Sequence, residues 1–227
     1  MASESNVDIA TLPAAFALSG RTALVTGAGS SSGIGFAAAR LLGQLGASVI
    51  LTATTERVHD RVAELVDQGI GSSGIVCTLD TERGATALIK ALEANRHEPT
   101  ILVNNAGMIA VGDPEMLHGD VTSSAAEWDR GIAINLSTAF FATRAVIGFM
   151  RAAGWGRIVT VTSLSGTVMA SRGDVAYAAA KAGLAGLTRA LAVDEARSGI
   201  TANAVAPGWI ATGSQLPNEV VEGALVP

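Results

Sequence analysis

The stretch TGAGSSSGIG, from Thr26 to Gly35, joins an apolar run at Arg21–Thr26 to a segment with helical apolar spacing at Gly33–Leu45. A glycine turn between a strand and a helix lets backbone N–H groups approach a pyrophosphate, and the helix N-terminus adds a favourable partial charge. The same glycines also allow a helix to pack tightly on a strand with no ligand involved. Their position near the start of the domain favours dinucleotide binding.

Strand-like and helix-like segments alternate along the rest of the chain. The further strand-like runs are Ala47–Ala53, Gly74–Leu79, Thr100–Val103, Arg157–Thr162 and Thr201–Ala206. The helix-like segments are Glu56–Gln68, Glu82–Asn95, about 125–152 and about Val175–Ser198, and a long loop covers about Met108–Ser124. This alternation predicts an α/β fold with a doubly wound parallel sheet and helices on both faces. Residues 1–19 are expected to form an N-terminal arm and residues 20–227 a single domain.

Composition narrows the class of protein. The formal net charge is −5 and no block of basic residues occurs, which argues against a nucleic-acid surface. Cys77 is the single cysteine, so no intrachain disulfide forms and a cytoplasmic setting is the simplest interpretation. The N-terminus lacks the features of a signal peptide, and no membrane-spanning helix is expected. His59, His97 and His118 share no metal-ligand spacing, so no metal site is predicted.

The segment after the second strand bears on the choice of cofactor. In dinucleotide folds a carboxylate at this strand end favours the free 2′-hydroxyl of NAD. Here the strand end carries Thr54 and Thr55, with Arg57 just beyond. Glu56 leaves two alternatives open, because its carboxylate would either repel a 2′-phosphate or only begin the next helix.

A polar group in the second half of the chain suggests proton chemistry. Tyr177 and Lys181 are four residues apart and lie on one face of a predicted helix, while Ser163 precedes Tyr177 by fourteen residues. A nearby ammonium stabilises a phenolate and lowers the pKa of the phenol. Carbonyl reduction needs a proton at oxygen, which a phenol of lowered pKa can supply. On its own, a Tyr–Lys pair also has many purely structural explanations.

Taken together, these motifs resemble those of the short-chain dehydrogenase/reductase family, in the same order over nearly the whole chain. The resemblance rests on the glycine stretch, Asn104–Gly107, Asn135, Ser163 and the Tyr177–Lys181 pair. It implies a Rossmann-type fold and hydride transfer between a nicotinamide cofactor and an alcohol/carbonyl pair.

Four catalytic residues follow from the resemblance. Tyr177 would be the general acid, and Ser163 would bind the substrate oxygen. Lys181 would hold the nicotinamide ribose, and Asn135 would hold a water of a proton path. Ser165 is a rival to Ser163, but the family's Ser-x-x-Gly pattern matches Ser163.

The resemblance also implies a set of cofactor contacts. The expected residues are Gly27, Gly33, Ile34, Gly35, Thr54, Asp80, Thr81, Asn104, Ala106, Gly107, Tyr177, Lys181, Pro207, Gly208, Ile210 and Thr212. Thr54 would contact a 2′-phosphate, and Asp80 would contact the adenine, although Asp80 or Thr81 would also serve as a helix cap. Five residues separate Gly27 from Gly33, more than in the family pattern, which leaves the phosphate contacts open.

The pattern is closest to the NADP-using 3-oxoacyl-[acyl-carrier-protein] reductases of the family. We therefore expect an NADPH-dependent carbonyl reductase acting on a ketone or acyl thioester, with NADP(H) favoured and NAD(H) possible. The alternatives are an NAD-dependent secondary-alcohol dehydrogenase and, more remotely, a catalytically silent nucleotide-binding scaffold. Small residues on the helix from Val175 predict a homotetramer or homodimer. Members of the family usually continue with a further helix and a final strand, which we do not expect between Thr212 and Pro227.

Overall fold

One parallel sheet organises the protein. The structure is a computed structural model that describes residues 14–107, 119–210 and 212. The strands are β1 (Thr22–Val25), β2 (Ser48–Ala53), β3 (Ser72–Val76), β4 (Ile101–Asn104), β5 (Gly156–Val161) and β6 (Ile200–Val205). Their order in the sheet is β3-β2-β1-β4-β5-β6, so the direction of winding reverses between β1 and β4. The predicted doubly wound, Rossmann-type sheet is confirmed, and such sheets bind ligands at this reversal point.

Helices cover both faces of the sheet. They are α1 (Ile34–Gln44), α2 (Arg57–Asp67), α3 (Glu82–Ala94), α4 (Ala125–Ile132), α5 (Thr138–Ala152), the single turn α6 (Leu164–Thr167) and α7 (Val175–Asp194). Successive strand residues face opposite sides. Leu24 packs in a core cluster with Leu88 and Val146, whereas the next residue, Val25, packs in another cluster with Phe36.

Three elements differ from the sequence prediction by more than one residue. Strand β3 covers Ser72–Val76 instead of the predicted Gly74–Leu79, because it pairs with β2 from Val49↔Ser72 to Ala53↔Val76. The predicted helix at about 125–152 is interrupted by a π-helical turn at Ala133–Ser137. The last long helix ends at Asp194 and is followed by a 3-10 turn, so the predicted end at Ser198 is wrong.

The predicted N-terminal arm is partly attached to the domain. From residue 14 onward, a 3-10 turn (Ala14–Phe16) leads to Leu18, whose backbone N–H donates to the Leu45 carbonyl at 2.8 Å. The Leu18 side chain packs against a small core cluster that includes Ala23. Residues 1–13, 108–118, 211 and 213–227 lie outside the described part of the chain, which removes most of the predicted Met108–Ser124 loop from view.

The α4–α5 segment bears on the expectation that no helix spans a membrane. Within Ala125–Ala152, an 18-residue window with a mean hydropathy of 1.5 is apolar enough to cross a membrane by length and composition alone. Core helices of soluble proteins meet the same criteria. Ala142, Val146 and Met150 of this segment are fully buried or nearly so in the main core, which accounts for its apolar composition.

Candidate active site

The glycine stretch lies at the carboxyl end of β1 and closely approaches the loop after β4. Gly27 has a φ of +68°, and a Cβ there would lie 2.8 Å from the Ala106 Cα. A Cβ on Gly35 would lie 2.5 Å from the Asn105 side-chain nitrogen. Helix α1 starts after Gly33, which offers no side-chain cap to the first N–H groups of the helix. A glycine cradle beside uncapped helix N–H groups fits the pyrophosphate of a dinucleotide.

Two residues that the sequence did not single out connect the two loops. The buried Thr26 hydroxyl donates to the Val103 carbonyl at 3.3 Å and accepts from the Asn105 and Ala106 backbone N–H groups at 3.1 and 3.0 Å. The Asn105 side-chain amide donates to the Thr26 and Gly27 carbonyls at 2.9 and 3.0 Å. The available signal was that each is a polar residue at the end of an apolar strand.

Four of the predicted cofactor residues line one cleft. Gly33 and Ile34, at the start of α1, face Ile210 and Thr212 across a space of about 350 Å³. The Pro207–Gly208 turn is joined to the segment after β5, because the Leu164 backbone N–H donates to the Pro207 carbonyl at 3.0 Å. The structure therefore brings the first and last parts of the predicted cofactor site together.

The side of the site next to β2 carries hydroxyls and a guanidinium. Thr54 is exposed at the end of the strand. The Glu56 carboxylate lies 3.2 Å from the His59 Nε2, and the Arg57 Nε donates to the Thr55 hydroxyl at 3.2 Å. A Cβ on Gly29 would lie 2.9 Å from the Ala53 Cβ, so the glycine stretch contacts the end of β2.

The segment after β3 shows which residue caps α3. The Thr81 hydroxyl accepts from the Gly84 backbone N–H at 3.3 Å, so Thr81 is the N-cap. Asp80 is half-buried beside it and does not occupy the cap position. Of the two capping alternatives, the structure selects Thr81, and an adenine contact by Asp80 stays a prediction.

Ser163 lies two residues after the end of β5, and the turn that follows it holds its position. Its Oγ accepts from the Ser165 backbone N–H at 3.2 Å, and the Thr167 hydroxyl donates to the Ser163 carbonyl. The Ser163 side chain also interacts with the Tyr177 hydroxyl, and this interaction lowers the pKa of Tyr177. A serine hydroxyl keeps its O–H donor when one of its lone pairs accepts, so Ser163 can still donate a hydrogen bond.

Tyr177 and Lys181 lie one turn apart on α7, as predicted. The Lys181 Nζ lies 5.5 Å from the Tyr177 ring centroid and donates to the Val161 carbonyl at 3.1 Å. Only 2% of Lys181 is exposed. Burial lowers the pKa of the Lys181 ammonium to about 8, because the charged form is poorly solvated.

The pKa of Tyr177 moves in the direction opposite to the sequence expectation. Burial raises this pKa above its ordinary value, the Ser163 hydrogen bond lowers it, and the Asp174 carboxylate raises it further. Lys181 does not offset burial in this geometry. Ser163 is the group that favours the phenolate here.

Asn135 lies in the π-helical turn against the loop after β4. It is 7% exposed, and its amide nitrogen donates to the Gly131 carbonyl at 3.2 Å. A Cβ on Gly107 would lie 3.2 Å from the Asn135 Cα. Within the described residues, the Oδ1 atoms of Asn135 and Asn104 are buried without a partner, while the Asn104 amide donates to the Thr143 hydroxyl at 3.1 Å. Since buried acceptors are normally hydrogen-bonded, the Asn135 oxygen is suited to accept from a proton-carrying group.

The two described histidines contact residues other than the four predicted catalytic residues. His59 pairs with Glu56, and the His97 Nε2 lies 3.1 Å from the Ser73 hydroxyl. His118 lies outside the described residues. Over residues 14–107, 119–210 and 212, no group of three or more His, Cys, Asp or Glu side chains is arranged to hold a metal ion.

Comparison with known proteins gives a consistent result. A family model described as short chain dehydrogenase matches residues 21–219. The 3-oxoacyl-[acyl-carrier-protein] reductase of Pseudomonas aeruginosa is 40% identical over 196 residues, covering 86% of this chain and 76% of that protein. The D-beta-hydroxybutyrate dehydrogenase of Rhizobium meliloti is 38% identical over 207 residues, covering 88% of this chain and 76% of that protein.

A solved structure shares the fold. It is assigned provisionally as an NAD(P) dependent gluconate 5-dehydrogenase of Beutenbergia cavernae and contains NADP at low occupancy. The two chains superpose with a TM-score of 0.79 at 37% identity, over 92% of this chain and 80% of the other. Both the sequence relatives and this structure therefore point to oxidoreductases.

Proposed function

The chain belongs to the short chain dehydrogenase family, and from that premise we propose that it is an NADPH-dependent carbonyl reductase that converts a ketone or 3-oxoacyl group into a secondary alcohol. The arrangement of Ser163, Tyr177 and Lys181 carries the proposal. These side chains follow β5 on the sheet edge that also bears the glycine stretch. As a family member, the chain is an oxidoreductase acting on a CH–OH or C=O group of a small molecule.

The proposed reaction assigns a separate task to each polar side chain. A bound nicotinamide supplies the hydride. Tyr177 donates its phenolic proton to the substrate oxygen, and Ser163 donates a hydrogen bond to the same oxygen as negative charge develops there. Lys181 would hold the ribose hydroxyls with its ammonium. The Asn135 Oδ1 would accept a hydrogen bond from a water, and this water would return a proton to Tyr177 through Lys181.

The surroundings of Thr54 support NADP(H). The Glu56 carboxylate, which would repel a 2′-phosphate, lies 3.2 Å from the His59 Nε2. The Arg57 guanidinium reaches back to Thr55, beside the strand end. Hydroxyls and a guanidinium suit a phosphate better than a ribose hydroxyl.

NAD-dependent oxidation of a secondary alcohol is the second candidate. The 38% identity to a D-beta-hydroxybutyrate dehydrogenase favours it. The two candidates share the same catalytic residues and differ in cofactor and direction. Binding titrations with NADPH and NADH distinguish them, because only the first candidate requires tighter binding of NADPH.

The test of the proposal is a turnover screen. NADPH oxidation is measured against a panel of ketones that includes 3-oxoacyl thioesters, with NADH in parallel. Turnover that is faster with NADPH and absent in Tyr177→Phe supports the reductase. Binding of either nucleotide with no turnover on any ketone or alcohol would indicate the silent scaffold instead.

We further propose a homodimer or homotetramer in the cytoplasm, with a small-molecule substrate and no nucleic-acid partner. The exposed apolar residues on α7 support the assembly, and the single cysteine supports the compartment.

A further inference from the structure

We infer that Gly166 is a positioning residue of the proposed reaction. Because Gly166 has no side chain, the α6 turn packs directly on the α7 backbone, and this packing keeps Ser163 next to Tyr177. The inference rests on the proposed function only in treating Ser163 and Tyr177 as the reacting pair. The contact itself is a feature of the fold.

The α6 turn requires a glycine at this position. Ser165 has φ −63° and ψ 125°, and Gly166 has φ 86° and ψ −23°. These angles are those of the two central residues of a type II turn, which needs a positive φ at its second central position. A single-turn helix would not need such a residue, so the local sequence Leu-Ser-Gly-Thr is shaped for this turn.

The space around Gly166 excludes any side chain. A Cβ there would lie 2.1 Å from the Ala178 carbonyl oxygen, whereas real Cβ atoms essentially never come closer than 3.0 Å to another heavy atom. The obstructing atom is helix backbone, which cannot rotate away as a side chain would. An alanine would therefore push α6 away from α7 by roughly 1 Å, which is enough to break a hydrogen bond that depends on their separation.

The contact is adjacent in sequence to the reacting pair on both sides. Ala178 follows Tyr177 directly. On the other side, Ser163 is tied to the turn by two hydrogen bonds, from the Ser165 N–H to the Ser163 Oγ and from the Thr167 hydroxyl to the Ser163 carbonyl. A displaced turn therefore carries the Ser163 Oγ away from Tyr177.

Gly69 provides a matched control. Its φ of +77° is close to that of Gly166, but a Cβ there would meet nothing within 4 Å. Gly69→Ala imposes the same kind of backbone strain without a steric contact, at the end of α2 and far from Ser163. A difference between the two variants thus isolates the displacement of α6.

The single tyrosine of the chain gives a direct readout. The absorbance of tyrosinate is measured after a rapid jump to alkaline pH, before the protein unfolds. It reports the ionisation of Tyr177 whether or not the protein turns over a substrate. Gly166→Ala is expected to raise the midpoint by about 0.5–1 unit, the size expected for one lost hydrogen bond. Ser163→Ala is expected to raise it equally, Gly69→Ala to leave it unchanged, and the double variant Ser163→Ala/Gly166→Ala to show no further rise.

Turnover supplies the second readout. With a ketone that the wild type reduces, Gly166→Ala is expected to lower kcat ~10-fold or more, as loss of one oxyanion donor does, while the Kd for NADPH stays unchanged. If Gly166→Ala does not fold, Thr167→Val loosens the same turn without adding a contact, and it is expected to shift the titration in the same direction.

The outcomes separate the two proposals. A wild type that reduces no ketone contradicts the proposed function, and the titration still decides the role of Gly166. The inference is overturned if Gly166→Ala, or Thr167→Val in its place, titrates like Gly69→Ala. It is also overturned if the shift adds to that of Ser163→Ala in the double variant.

Discussion

At the scale of single residues, the active site keeps a lysine charge inside the protein. Lys181 is among the largest fully buried side chains, and its Nζ donates a hydrogen bond to a neutral carbonyl, that of Val161. A buried ammonium with a neutral partner destabilises the fold, which explains why its pKa is lowered to about 8. Such a cost persists where function needs the charge, and here the proposed function needs it for the ribose and for Tyr177.

Lys181→Met should therefore stabilise the protein while damaging its activity. Below pH 8 the ammonium is charged in both folded and unfolded states, so the full cost is present. As pH rises from about 8 to the ordinary lysine pKa of 10.5, the folded protein releases the proton first and the cost disappears. We expect the variant to gain ~1–3 kcal/mol in free energy of unfolding at pH 7, and the gain to shrink as pH rises through this window.

Denaturant unfolding across pH 6–10 measures this gain. Lys90→Met is the control, because Lys90 is the only other lysine and is exposed. The same Lys181→Met protein should bind NADPH more weakly and turn over more slowly. If Lys181→Met is less stable than the wild type at pH 7, the buried Lys181 ammonium does not lower the free energy of unfolding, and the interpretation is wrong.

Tyr177→Phe should remove turnover and preserve cofactor binding, because only the phenolic hydroxyl is lost. General acid–base groups contribute typically ~10²–10⁴-fold to rate, so kcat should fall by at least that range. NADPH affinity, measured by fluorescence titration, should stay close to wild type. Near-normal kcat would exclude Tyr177 as the proton donor.

At the scale of elements, the strand ends decide what the site binds. The connection from β2 to α2 carries Thr54 at the position expected to face the ribose. Thr54→Asp should shift preference from NADP(H) toward NAD(H), since a carboxylate repels a 2′-phosphate and accepts from a ribose hydroxyl. The ratio of kcat/KM for the two cofactors should change ~10-fold or more, equivalent to one interaction of about 1.4 kcal/mol.

Thr86→Asp is the control for this substitution, because Thr86 is exposed on α3 and lies away from the strand ends. It adds the same charge to the protein. An unchanged ratio in Thr54→Asp would show that Thr54 does not face the ribose, or that the lengthened glycine stretch has moved the pocket.

The start of α3 presents a second close glycine contact. A Cβ on Gly84 would lie 1.6 Å from the Thr78 carbonyl oxygen, just before Asp80 and Thr81. Gly84→Ala should push this segment outward. Like other overpacking substitutions, it should lower the free energy of unfolding by ~1–3 kcal/mol. It should also raise the KM for the cofactor, with little change in kcat. In Gly148→Ala, where nothing lies within 4 Å, both kinetic parameters should stay at wild type. Steady-state kinetics of the two variants provide the measurement. Equal KM values for the cofactor would indicate that Asp80 does not take part in cofactor binding.

The elements themselves were predictable where periodicity is strong. Leu24 and Val25 or Val49 and Ile50 are apolar on both sides of a strand, which is the signature of a covered parallel sheet. The π-helical turn at Ala133–Ser137 was not predictable, because its sequence contains no helix breaker. The Thr26–Asn105 hydrogen bonds join residues 79 positions apart, and local sequence patterns do not reveal such contacts.

At the scale of the whole molecule, helix α7 leaves an apolar stripe on the surface. Val175, Ala179, Ala182 and Val193 are exposed and recur at helical spacing, with Val193 77% exposed. Not all of the small residues that predicted an interface point outward: a Cβ on Gly183 would lie 2.9 Å from Leu136 within the same chain. Close packing thus explains Gly183, whereas the stripe itself has no cover among the described residues.

A second copy of the chain is the cover we expect, since an apolar helix face of this kind normally packs against another. Ala182→Arg should convert a dimer or tetramer into the 22.9 kDa subunit, because a long charged side chain cannot fit between closely packed helices. Ala63→Arg should leave the assembly intact, because Ala63 is also an exposed alanine but lies on α2, near the edge of the sheet at β3. Light scattering during size-exclusion chromatography gives the masses directly. A wild type that stays at the subunit mass at micromolar concentration contradicts the assembly. If both variants dissociate alike, the interface is not specific to α7.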